Sequence, residues 1–140
     1  MRQIADLLMA GFLIACGICD LKSRRIPMIF LITMHLVGVF FMITCRRETM
    51  FSMGLGVFIG VLFLGISKLT DEAVGYGDSW LMLILGGYLG GLCVLQLLFL
   101  ASLLSGLASV ICLWIRKWKR NTTIPFVPFL VVAYLVVVWL

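Results

Sequence analysis

The chain is a series of long apolar runs separated by short polar interruptions. Apolar residues dominate 4–19, 26–45, 50–67, 80–115 and 124–140. A helix needs about 20 residues to cross a hydrocarbon core about 30 Å thick, so four of these runs each read as one span. The run 80–115 carries no formal charge, and as a single helix its roughly 36 residues would extend about 54 Å. It is therefore predicted to fold back, and Gly86-Gly87-Tyr88-Leu89-Gly90-Gly91 is the place to do it. The pattern predicts an all-α, polytopic integral membrane protein with about six transmembrane helices, the fourth of them short. The first span also looks short, which sets Asp20 at or just inside the membrane boundary. The start of the chain reads as a retained helix and not as a removed signal peptide, because Asp6 sits where the positive region should be.

Composition sharpens this reading. At 140 residues the chain is expected to form one domain, residues 1–140. Apolar residues make up 64% and charged residues 12%, against about 45–50% and about 25% in soluble domains. A globular chain of this size could not keep that much apolar surface from water. The net charge of +5 would suggest nucleic acid in a soluble protein. Here the basic residues sit in clusters between apolar runs, which is a topology signal and argues against a nucleic-acid partner. With the N-terminus outside, the inner loops hold Lys22, Arg24, Arg25, Lys68, Arg116, Lys117, Lys119 and Arg120, and the outer side keeps Arg2, Arg46 and Arg47. That asymmetry predicts an N-out, C-out chain, with Asp20 and the segment Gly75-Tyr76-Gly77-Asp78 both on the cytoplasmic side.

Those two aspartates carry the candidate chemistry. An ionisable group in a membrane chain costs several kcal/mol unless it has a partner, water or a task. Gly75 and Gly77 permit left-handed backbone and close approach, so Asp78 can face a wet cavity; its other reading is an N-cap for a helix beginning at Ser79. Two carboxylates sharing one proton can hydrolyse a peptide bond, one activating water while the other protonates the carbonyl oxygen. Such a pair titrates as a unit, so the sequence assigns neither acid a fixed role. Cys16-Gly17-Ile18-Cys19 has metal-like spacing but no second pair, and reads as packing between helices. His35 reads as a hydrogen-bonded interhelical residue, and the pairs Gly56/Gly60, Gly86/Gly90 and Gly87/Gly91 as close helix packing.

Three stretches together resemble the type IV prepilin peptidase family of membrane aspartyl proteases. Asp20-Leu21-Lys22-Ser23-Arg24-Arg25-Ile26-Pro27 is similar to that family's first aspartate, basic loop and Ile-Pro. Glu72-Ala73-Val74-Gly75-Tyr76-Gly77-Asp78 resembles its second catalytic motif, and Ile124-Pro125-Phe126-Val127-Pro128-Phe129 its late Ile-Pro-Phe segment. The resemblance implies that Asp20 and Asp78 are the catalytic pair, supported by Gly75 and Gly77, with Glu72, Lys22, Arg24 and Arg25 as candidate substrate contacts. It implies cleavage of a prepilin or pseudopilin leader after a glycine, at the cytoplasmic face of the cell membrane, with no metal or organic cofactor. The substrate helix and membrane lipid are the implied partners, and the oligomeric state is open. The chain resembles the short, core-only members that lack the cysteine-containing N-terminal domain, which sets N-methyltransferase activity in doubt. Met28, Ser79, Trp80 and Val127 depart from the family pattern. Met28 and Trp80 leave one alternative of another class, a non-catalytic membrane scaffold that keeps the peptidase fold. A small proton-conducting transporter is disfavoured, because the sequence shows no internal repeat.

Overall fold

The computed structural model describes residues 2–23, 27–45, 48–70, 75–116 and 125–139. They form six helices: α1 (Arg2–Ser23), α2 (Met28–Cys45), α3 (Met50–Leu69), α4 (Tyr76–Leu89), α5 (Gly91–Arg116) and α6 (Val127–Trp139). No strand occurs among the described residues. Among the described residues the all-α reading therefore holds, with six helices.

Local chemistry explains the helix ends. Pro27 cannot continue a helix from α1, but its carbonyl accepts the Phe30 amide at 3.0 Å and opens α2. Thr49 caps α3, its hydroxyl accepting from the Ser52 amide at 3.3 Å. At the other end the Thr70 amide and hydroxyl both donate to the Ile66 carbonyl, at 2.9 and 2.7 Å. The long apolar run breaks where expected, and at one residue. Gly90 has φ of 86°, a left-handed value that a side chain would resist, and its amide closes on Gly86 O at 3.0 Å. The first helix continues beyond its apolar run, past Asp20 to Ser23. Asp20 thus rides on a helix that Lys22 continues toward the polar side.

Packing centres on α4, whose residues Leu81, Met82 and Ile84 to Leu89 are all buried. Its tightest neighbour is α3. Gly56 lies against the Gly86 backbone and Gly60 against the Leu83 backbone, so closely that a methyl group at either glycine would overlap the other helix. The expected close helix packing is thus formed by these glycines. On its other side α4 meets α2, and α6 packs between α1 and α5. Met9, Leu13, Met34, Leu85, Tyr88, Leu97, Leu130 and Tyr134 complete the shared core.

The outside is as apolar as the inside. Phe51, Phe58, Phe99 and Trp114 are exposed, Trp114 to 89%. Three stretches, Gln3–Lys22, Met50–Leu69 and Gly91–Cys112, are long and apolar enough to cross a membrane, and α2 and α6 are shorter apolar helices. Such a surface in water would be an aggregation site, whereas against lipid it is ordinary. The architecture fits a membrane protein.

Candidate active site

Three helix ends meet around the first aspartate. Asp20 lies in the last turns of α1, and its Oδ2 accepts the backbone amide of Val127 at 3.3 Å. Val127 is the first residue of α6. The amides of a helix's first turn have no partner within the helix, so this one is free to reach a carboxylate. The following Pro128 has no amide to satisfy, and the next ones, Phe129 and Leu130, turn back to the Phe126 carbonyl at 3.1 and 3.2 Å. The Pro-Phe-Val-Pro-Phe stretch therefore supplies one directed N–H to Asp20.

Asp78 occupies the first turn of α4, ahead of the buried stretch that starts at Leu81. It does not cap the helix. Gly75 is the N-cap residue, with no side-chain cap bond, and the Ser79 amide closes the first turn on Gly75 O at 3.1 Å. Nor does Gly75 use left-handed backbone, since its φ is −52°. Its glycine character serves space instead: a Cβ there would come within 2.9 Å of Asp78 Oδ2. The carboxylate thus folds back over residue 75. Gly77 lies within the helix. Ser79 anchors this turn to the neighbouring helix, its hydroxyl lying 3.2 Å from Gly75 O and 3.3 Å from Phe63 O of α3.

The two acids sense one another. Burial pushes the Asp78 carboxyl up from its ordinary value to about 7, and the neighbouring Asp20 charge adds to the rise. A half-buried carboxyl that holds a proton near neutral pH, beside a second carboxylate, has the makings of a proton-sharing pair. Residues 58 positions apart in the chain are brought within electrostatic reach.

Aromatic rings flank Asp78. Trp80 meets Tyr76 edge-on at 6.3 Å between centroids, and on its other side meets His35 of α2 at 6.0 Å. His35 is interhelical as expected, but through its ring contact with Trp80; its buried Nδ1 has no hydrogen-bond partner among the described residues. Lys22 is exposed, two residues beyond Asp20. Glu72, Arg24 and Arg25, the remaining candidate substrate contacts, lie outside the described residues. The Val127 amide was not legible as a site group, because backbone donors carry no residue signature; the Ile-Pro-Phe segment was its only trace.

Residues 7–113 match the type IV leader peptidase family, and the chain belongs to that family. A curated relative from Pseudomonas aeruginosa, named prepilin leader peptidase/N-methyltransferase, is 28% identical over 143 residues, covering 96% of this chain and 49% of the relative. One of the same name from Aeromonas hydrophila is 27% identical, covering 97% of this chain and 49% of its own length. A third, from Pseudomonas putida, is 41% identical over 70 residues, which is 49% of this chain and 24% of the relative. The chain spans about half the length of the first two relatives. No solved structure matches it.

Proposed function

We propose that this chain is a membrane aspartyl endopeptidase that removes the leader from type IV prepilins or pseudopilins, cutting after a glycine at the cytoplasmic face. The observation that carries this reading is the pair Asp20 and Asp78, presented from the ends of α1 and α4, where burial and then the Asp20 charge raise the proton affinity of Asp78. Family membership supplies the reaction class, and the two acids supply a way to perform it.

The proton inventory follows from the surroundings of each acid. The Val127 amide donates to Asp20 Oδ2, which must therefore be an oxygen with a free lone pair. Burial raises the proton affinity of Asp78, which lets it carry the shared proton at rest. In the forward step Asp20 takes a proton from water as the water oxygen attacks the scissile carbonyl carbon. Asp78 gives its proton to the carbonyl oxygen, forming the neutral tetrahedral diol. Collapse breaks the C–N bond: Asp20 gives its proton to the leaving nitrogen while Asp78 takes one from a diol hydroxyl, which leaves a carboxylic acid, a free amine and a pair that again holds one proton. The substrate would lie as an apolar helix beside the spans with its leader in the cytoplasm. A glycine before the cut favours the local unwinding that exposes the bond, because glycine is the poorest helix former apart from proline.

With six spans and both termini outside, the acids would share a face with a basic leader. Lys22 and, by their sequence positions, Arg24, Arg25 and Glu72 are the candidate contacts for charged residues of the substrate. The direct test is cleavage of a leader-bearing pilin precursor in membranes by the wild type, Asp20→Asn and Asp78→Asn at matched protein levels. Each variant is expected to lose at least about 10³-fold of the activity, since a single carboxylate cannot both give and take the proton. Cleavage retained in either variant would sink the aspartyl mechanism. A folded wild type that cuts no precursor would favour the scaffold reading.

A further inference from the structure

The aspartyl-peptidase reading uses Asp20 and Asp78 but leaves a third aspartate unexplained. Asp6 is 8% exposed near the other end of α1, and no other charged side chain among the described residues is buried. Its Oδ1 accepts the Tyr88 hydroxyl at 2.8 Å, and its backbone carbonyl accepts the Tyr134 hydroxyl at 3.3 Å. Tyr88 is 2% exposed and Tyr134 fully buried. One residue of α1 thus binds the last turn of α4 and the middle of α6. These are the same three helices that meet around Asp20 at the opposite end.

We infer that the Asp6–Tyr88 hydrogen bond is a positioning clamp, setting from the far end of α1 and α4 the separation at which Asp20 and Asp78 are held. The proposal rests on the aspartyl-peptidase reading of those two acids. Asp6 and Asp20 share α1, about 21 Å apart along the axis, and Tyr88 and Asp78 share α4, about 15 Å apart. A rigid helix transmits a shift at one end to the other, so the clamp acts on both carboxylates at once. The helices need such a tie. The packing of α1 is chiefly against α6 and α2, and that of α4 against α3, α2 and α5. Where α1 and α4 approach one another, Gly38 of α2 comes between, 3.7 Å from Met9 Cε and 3.0 Å from Ile84 Cγ2 by the position its Cβ would take. Methionine and isoleucine side chains against a glycine allow sliding, whereas a phenol on a carboxylate fixes distance and direction. Tyr134 sets the third member, since α6 also carries the Val127 amide that Asp20 Oδ2 accepts.

Two measurements on the full chain test the clamp. In the first, wild type, Tyr88→Phe and Asp6→Asn are compared on one pilin precursor, with folded protein quantified for each. Tyr88→Phe removes the donor and keeps the ring, and a carboxylate displaced by a fraction of an ångström is expected to lower kcat about 10-fold with KM within about 2-fold. Asp6→Asn keeps an oxygen acceptor for Tyr88 and is expected to hold kcat within about 2-fold of wild type. A Tyr88→Phe enzyme with wild-type kcat per folded molecule overturns the clamp, as does an Asp6→Asn enzyme that falls equally far. The second needs no activity: spin labels at Leu21→Cys and Tyr76→Cys, in a background without the native cysteines, report the separation of the catalytic ends. The distance distribution is expected to broaden or shift in Tyr88→Phe and to match wild type in Asp6→Asn; an unchanged distribution in Tyr88→Phe also overturns the clamp. A wild type that cuts nothing but shows this pattern of distances would sink the peptidase reading and leave the clamp standing.

Discussion

At the scale of single residues, the site depends on what is missing from position 75 as much as on what is present at 78. Gly75 has ordinary backbone angles, so alanine fits its φ and ψ, and the helix that follows is not put at risk. The methyl group would nevertheless stand 2.9 Å from Asp78 Oδ2 and force the carboxylate aside. Gly75→Ala is therefore expected to reach normal levels in the membrane and to cleave about 10- to 100-fold more slowly, the range for an ångström of misplacement at a reacting group. A precursor-cleavage time course at matched enzyme levels checks it, and wild-type rates would mean that Asp78 works from another rotamer. The two acids were legible because charge is rare in this chain and each sits beside its own punctuation, Pro27 after one and the glycines before the other. The reason for the glycine was not legible: the sequence suggested special backbone angles, and the structure shows a steric allowance. In the sequence Asp6 only counts against a signal peptide, since nothing near it announces Tyr88, 82 positions away.

At the scale of elements, the placement of α4 decides the site, and α3 decides the placement of α4. Their contact is made through glycine at two heights, Gly56 on Gly86 and Gly60 on Leu83, with no room for a methyl group at either. Gly60→Ala should cost about 1–3 kcal/mol through forced separation of the two helices, and Asp78 would move with α4. Gly54→Ala and Gly65→Ala lie on the same helix with open space around them. They remove only the conformational freedom of glycine, so they should be neutral or stabilise by up to about 1 kcal/mol. Thermal unfolding of the purified variants in one detergent separates the two classes, and equal effects at positions 54 and 60 would mean that propensity and not packing is at stake. The spacing of these glycines was readable, but such pairs arise easily in apolar sequence, so it did not identify the helix they face. The sequence pattern sets the start of α4 late, at Ser79, for a related reason. Tyr76 and Gly77 look like loop, and Ser79, which ties the first turn to Phe63 O, offers no sequence cue to that partner.

At the scale of the whole molecule, the reading requires all three helix ends around Asp20 to face the cytoplasm, and this orientation can be tested on α3 alone. Helix α3 is 20 residues, about 30 Å long, with Thr49 capping one end and Thr70 the other. The chain leaves α3 at Thr70 and reaches Asp78 eight residues later, so the Thr70 end shares its face with the acids. Eight basic residues on that side against three on the other predict that it is cytoplasmic. In a cysteine-free background, Thr49→Cys should react with a membrane-impermeant maleimide in intact spheroplasts, and Thr70→Cys only after lysis. Both positions are exposed at helix ends, so neither should be shielded by packing. Labelling in the opposite order would turn Asp20, Asp78 and the Val127 amide outward, away from a leader that is still in the cytoplasm. Cleavage at the cytoplasmic face would then be untenable even if the two acids proved essential, because the scissile bond and the proton-sharing pair would lie on opposite sides of the bilayer.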